Sequence, residues 1–161
     1  MQIHILRHGS AENAPPGGAD ADRRLTRVGR EQLRRVLERA RLAKIAPSLI
    51  LTSPYARAIE TAEIAAGVFG YGGELVRTDA LIPSSSPQRI WEEIRSRQNE
   101  TQMLLAGHEP LLSQCVAYLL NTSMLWMEMR KAMLVRIDMD HFAGDPHGIL
   151  RWVLPPEVLG G

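Results

Sequence analysis

Three short apolar runs, each ending in a polar turn and then an amphipathic stretch, limit the architectures open to this 161-residue chain. Residues 2–6 (Gln-Ile-His-Ile-Leu), 48–52 (Ser-Leu-Ile-Leu-Thr) and 102–106 (Gln-Met-Leu-Leu-Ala) are too short for helices and read as strands. They are nearly all apolar rather than alternating, as expected of strands covered on both faces. Helical patterns separate them. After Thr26, a suitable N-cap, Leu33, Val36, Leu37 and Ala40 repeat at helical spacing as far as the break at Pro47. Ser53-Pro54 reads as an N-cap and first position for a helix over 54–69, closed by Gly70. Residues 74–77 suggest a further short strand. Ser86-Pro87 opens a helix over 88–98 with Ile90, Trp91 and Ile94 inward, and 111–120 supplies another helix. Two closing strands, 131–138 and 148–154, flank the loop 139–147. Alternating strands and helices predict an α/β three-layer sandwich, with a mostly parallel central sheet and helices on both faces.

Length favours a single domain over 1–161 with a full core. A net charge of +1 argues against a general nucleic-acid binder. Charge is uneven, however: from Arg23 to Lys44 nine basic residues face only Glu31 and Glu38. Such a stretch is either a solvated helix face or a field for an acidic partner. The lone Cys115 cannot form an internal disulfide, and its apolar surroundings suggest a buried helix residue. There is neither a signal-like N-terminus nor an apolar run approaching 18 residues, so a cytoplasmic placement is expected.

In parallel sheets, ligands bind beyond the carboxyl ends of the strands. Arg7-His8-Gly9 follows the first strand, Arg57 the second, and His108 the strand at 102–106. The topology therefore predicts that two arginines and two histidines converge at one sheet edge. Guanidinium forks match phosphate oxygens. A helix N-terminus at Arg57 adds positive potential. A neutral histidine there can take a phosphoryl group, and a protonated one can donate to its oxygens. With a reference pKa of about 6.5 and arginines nearby, one neutral and one protonated ring is the expectation. The Gly/Pro-rich stretch 9–24 leaves this place directly and reads as a loop that walls or covers it.

These segments resemble the motifs of the histidine phosphatase, or phosphoglycerate mutase-like, superfamily. Arg7-His8-Gly9-Ser10-Ala11 is similar to its Arg-His-Gly signature, and Leu25-Thr26-Arg27-Val28-Gly29 to the Leu-Thr-x-x-Gly that opens its first helix. The run Ser53-Pro54-Tyr55-Ala56-Arg57-Ala58-Ile59-Glu60-Thr61-Ala62 resembles its second arginine motif. Gly107-His108-Glu109-Pro110 resembles its second histidine motif. The short length and Asp20-x-x-Arg23 look most like the SixA-type phosphohistidine phosphatases. The resemblance implies His8 as nucleophile, with Arg7, Arg57 and His108 binding the phosphoryl oxygens. It also implies hydrolysis of a phosphohistidine intermediate by water, without metal or organic cofactor. Its expected partner is a phosphohistidine protein or a small phosphorylated molecule.

One departure narrows the substrate. Many relatives carry an acid shortly after a Leu-x past the third strand, but here Asp79-Ala80-Leu81-Ile82-Pro83 puts proline at that place. An alkoxide leaving group needs such an acid, whereas an imidazole leaving a P–N bond depends on it less. A phosphohistidine substrate is therefore favoured over a sugar phosphate, unless Glu12, Asp20 or Asp22 on the long loop supplies the proton. The competing readings are a small-molecule phosphomonoesterase and a non-catalytic phosphate-binding module. The Asp/His/Gly segment 138–147 fits a hairpin turn better than a metal loop. His4 reads as a sheet-face residue, and the methionine-rich run 124–133 with Trp126 as packing against the sheet.

Overall fold

The computed structural model describes residues 1–159. Six strands form one sheet: β1 (Gln2–Arg7), β2 (Leu49–Thr52), β3 (Val76–Arg77), β4 (Gln102–Gly107), β5 (Leu134–Asp138) and β6 (Ile149–Leu154). Their spatial order is β3-β2-β4-β1-β5-β6. The pairs β1–β4, β2–β4 and β2–β3 are parallel, while β5 runs antiparallel to both β1 and β6. The sheet is thus mixed, with the expected parallel arrangement in the half that carries the motifs.

Four helices cover it: α1 (Arg27–Ala40), α2 (Ala56–Phe69), α3 (Pro87–Arg95) and α4 (Leu111–Leu119). Alternation along the strands sends Ile3, Ile5, Leu51, Met103 and Leu105 to one face, where they pack with Ile90, Trp91 and Ile94 of α3 and Leu112, Cys115 and Val116 of α4. Leu6, Ile50, Leu104 and Ala106 face the other way, against Leu33, Val36 and Leu37 of α1 and Ala62 and Ala65 of α2. The central strands β1, β2 and β4 are largely apolar because both their faces are buried. Thr26 caps α1, its Oγ1 accepting from the Gly29 N–H at 2.9 Å. Gly70 ends α2 at φ 68, a left-handed residue that glycine adopts without steric cost.

Several boundaries differ from expectation. β3 is only two residues long, and α3 stops at Arg95. α2 starts at Ala56 because the Ser53 side chain is used elsewhere, as described below. β5 starts at Leu134, since residues 131–133 form a turn with Ala132 at φ 64. Its amide donates to the His8 carbonyl at 3.2 Å. The methionine run divides: Met129 and Met133 are buried, whereas Met124 and Trp126 are largely exposed. In the segment 138–147 the Asp138 carboxylate is held by Arg136 and Arg151, and Trp91 Nε1 donates to the Gly144 carbonyl at 3.1 Å. It is the turn of the β5–β6 hairpin folded onto α3. His4 is fully buried beside Trp152, and Cys115 is a core thiol that burial pushes up to about 12. Among the described residues no helix is long and apolar enough to cross a membrane.

Candidate active site

Strand register builds the site. Arg7 pairs with Gly107 across β1–β4, and Thr52 with Ala106 across β2–β4. The residues that follow, His8, Ser53 and His108, therefore leave the sheet side by side at its carboxyl edge. The His8 and His108 ring centroids lie 5.1 Å apart. Arg57, in the first turn of α2, reaches them with its Nε 3.3 Å from His8 Nε2. His8, Arg57 and His108 are all buried. The four residues expected from the sequence, Arg7, His8, Arg57 and His108, thus border one another.

The hydrogen bonds of His8 assign its tautomer. Nδ1 lies 2.7 Å from the Gly9 carbonyl, which can only accept, so Nδ1 carries the proton. Nε2 receives the Arg57 Nε–H, so Nε2 holds the lone pair. Burial lowers the pKa of His8 to about 4, with Arg57, Arg7 and Lys131 acting in the same direction and the Gly9 hydrogen bond opposing them. The ring is neutral, with its unprotonated Nε2 turned toward the Arg57 guanidinium.

His108 complements it. Its Nε2 lies 2.8 Å from Ser53 Oγ, which also accepts the Tyr55 N–H at 3.3 Å. Ser53 Oγ keeps a second lone pair and its own proton, so this contact is compatible with either tautomer of His108. His108 Nδ1 is buried and has no hydrogen-bond partner among the described residues, and the same holds for Arg7 Nε. Burial, followed by His8 and Arg57, lowers His108 to about 3. Both rings are therefore neutral, unlike the one protonated ring expected, because burial outweighs every opposing influence. His108 Nδ1 still presents an unpartnered polar atom at the site. Arg7 is fixed by Nη1 donating to the Met129 carbonyl at 2.5 Å, and its pKa too is lowered by burial. A buried donor without an acceptor, such as Arg7 Nε, is costly unless an anion meets it. The site therefore suits a tetrahedral oxyanion seated against His8 Nε2.

Sequence reasoning missed three supporting residues. Ser53 looked like a helix cap, but it serves His108 instead. Thr61 Oγ1 accepts from the Gly9 N–H at 3.3 Å and donates to the Arg57 carbonyl at 2.7 Å, tying the two motifs together. Glu60, buried in α2, accepts the Leu25 N–H at 2.8 Å and pairs with Arg30 at 2.8 Å and Arg24 at 3.4 Å. Five of the arginines in 23–44 have carboxylate partners, so much of that stretch is neutralised locally. Of the loop carboxylates, Asp20 reaches the site and grips Arg57. Asp22 accepts the Ala19 N–H at 2.9 Å, and Glu12 bonds through its backbone, its amide donating to Arg24 and its carbonyl accepting from Arg23 Nε.

A model of the histidine phosphatase superfamily (branch 1) matches residues 3–82, which hold Arg7, His8 and Arg57. The chain belongs to the histidine phosphatase superfamily. An uncharacterised protein of Picosynechococcus sp. is 31% identical over 115 residues, 71% of this chain and 70% of the relative. The fold of this superfamily member is the phosphoglycerate mutase-like sandwich. It superposes on the protein histidine phosphatase SixA complexed with tungstate with a TM-score of 0.86, at 22% identity, covering 99% of this chain and 100% of that one. The alpha-ribazole phosphatase of Shigella flexneri gives a TM-score of 0.73 at 17% identity, with 97% of both chains covered. A phosphoserine phosphatase mutant of Entamoeba histolytica gives 0.71 at 14%, covering 97% of this chain and 98% of that one.

Proposed function

We propose that this protein is a phosphatase that hydrolyses a phosphohistidine carried on another protein, through a covalent intermediate on His8. The observation that carries the reading is the pairing of a lone pair at His8 Nε2 with the unpartnered buried Arg7 Nε–H and the unpartnered buried His108 Nδ1. In the first step Nε2 attacks phosphorus, a new N–P bond forms, and the bond to the leaving group breaks. The Arg57 Nε–H passes from the lone pair to a phosphoryl oxygen, while Arg7 and His108 take others. In the second step water attacks phosphorus, one of its protons passes to a phosphoryl oxygen, the His8–P bond breaks, dihydrogen phosphate leaves, and Nε2 regains its lone pair. Each positioned donor lost should lower the rate by about 10²–10³.

Two observations favour a protein phosphohistidine. Pro83 stands where an acid would protonate an alkoxide. A phosphoryl-imidazole accepts a proton on its distal ring nitrogen and leaves as neutral imidazole without a protein acid. In addition, exposed apolar surface lies close in sequence to the anchor of Arg7. Met124 and Trp126 are 82% and 96% exposed, in the segment that ends at the Met129 anchor of Arg7. The likeness in fold to a protein histidine phosphatase agrees with this reading. The likeness to alpha-ribazole and phosphoserine phosphatases supports the alternative, a small-molecule phosphomonoesterase. A steady-state panel decides between them: kcat/KM for a phosphohistidine protein should exceed that for sugar phosphates and phosphoserine by at least about 10², the low end of what a positioned acid supplies to alkoxide departure. The reverse preference would establish the phosphomonoesterase.

A further inference from the structure

We propose that Asp20 is a positioning residue that holds the far end of the Arg57 guanidinium, so that its near edge faces the phosphoryl group on His8. The inference rests on Arg57 being a phosphoryl-binding group. Arg57 Nη1 donates to the Asp20 backbone carbonyl at 2.7 Å, and Nη2 donates to Asp20 Oδ2 at 2.9 Å. One residue thus occupies the end-on fork with two acceptors. The other edge, Nε–H with the second Nη2 hydrogen, is left for His8 Nε2 and for whatever is bonded to it. The Tyr55 ring lies against the guanidinium, 5.2 Å from Cζ to ring centroid, and fixes its plane. An arginine held at its end and on its face has one free edge, and that edge meets the nucleophile.

The loop is built to present Asp20. Residues Asp20–Asp22 form a 3-10 turn. Arg23 Nη1 donates to Asp20 Oδ1 at 3.0 Å, Arg23 Nε to the Glu12 carbonyl at 2.8 Å, and the Arg23 amide to the Asp20 carbonyl at 3.3 Å. This explains the Asp20-x-x-Arg23 spacing, which lets the arginine reach back over the turn. Although the Asp20 side chain is 56% exposed, its partner Arg57 is 6% exposed, so the pair is not an ordinary surface ion pair.

The same contacts argue against Asp20 as a proton donor to the leaving group. Each carboxylate oxygen accepts from an arginine, and Arg23 first, then Arg57, hold the carboxyl below the usual range. Positioning and acid catalysis leave different kinetic signatures. An acid matters more as the leaving group worsens, whereas a misaimed Arg57 costs every phosphoryl substrate alike.

The test compares Asp20→Ala and Asp20→Asn with the parent on p-nitrophenyl phosphate, an alkyl phosphate and phosphoramidate, with tungstate as competitive inhibitor. Asp20→Ala should lower kcat/KM by about 10–100-fold on all three substrates, as expected for loss of a hydrogen bond to a charged group, and weaken tungstate inhibition by about tenfold. Asp20→Asn, which keeps one side-chain acceptor and the carbonyl, should recover to within about threefold of the parent. A loss that grows with leaving-group basicity would make Asp20 the acid and overturn the proposal. Unchanged kinetics, tighter tungstate binding in Asp20→Ala, or no recovery in Asp20→Asn would also overturn it. Arg57→Ala is the control: if it behaves as the parent, the reading of Arg57 fails. If it is impaired while Asp20→Ala is normal, the Asp20 inference fails alone.

Discussion

At the residue scale, the properties that matter are proton positions, and burial together with hydrogen-bond partners sets them. The sequence names His8 and His108 but says nothing of their tautomers. Those depend on Gly9, Arg57 and Ser53, which meet the rings only after folding. The consequence for pH dependence has a definite sign. Attack needs neutral His8, and a proton on Nε2 removes the lone pair. Because burial lowers the pKa to about 4, kcat/KM should hold as pH falls through 6.5 and decline only near pH 4–5. The measurement is a pH profile of kcat/KM, corrected for substrate ionisation, with folding followed by circular dichroism. An acid limb near 6.5 that belongs to His8 would show an ordinary, solvated histidine instead.

At the element scale, the Arg-His-Gly turn and α1 are fitted to each other. A Cβ on Gly29 would lie 2.3 Å from the Ser10 carbonyl oxygen, and one on Gly9 would lie 2.9 Å from the Gly29 carbonyl oxygen. Both glycines are required by close backbone approach rather than by a turn. The Leu-Thr-x-x-Gly pattern therefore does more than open a helix: Thr26 caps α1 through Gly29, and Gly29 lets α1 back onto the turn that orients His8. Gly29→Ala should destabilise the protein by about 1–3 kcal/mol, the usual cost of overpacking. It should also lower kcat/KM, because the Gly9 carbonyl that holds His8 Nδ1 moves with the turn. Urea unfolding and steady-state kinetics on the same variant measure both; a parent-like midpoint and rate would show that the turn and helix are not coupled. Ser53 teaches a related lesson about elements. Ser-Pro before a helix reads as a cap from sequence, yet its hydroxyl binds His108 and α2 starts three residues later. Local propensity gave way to a tertiary partner.

At the scale of the whole molecule, convergence on one sheet edge was legible because strand direction follows from strand–helix alternation. The apolar runs placed β1, β2 and β4, and their carboxyl ends carried Arg7-His8, Ser53 to Arg57, and His108. The reversed β5 and the two-residue β3 were not legible, since neither has a periodic pattern long enough to show direction or extent. Nor was the reach of Asp20 and Glu60, whose contacts with Arg57 and Leu25 span 37 and 35 positions. The Gly/Pro-rich loop reads from sequence as a wall or lid, and its 3-10 turn brings Asp20 to Arg57, 37 positions away. The central claim is that these convergent groups carry a phosphoryl group on His8. The most direct measurement is rapid-quench trapping with a 32P-labelled phosphohistidine protein or phosphoramidate, followed by peptide mapping. The account requires an alkali-stable, acid-labile label on His8, formed and lost at rates compatible with turnover and absent in His8→Ala. Turnover with no label at His8, or an equally active His8→Ala, would contradict it.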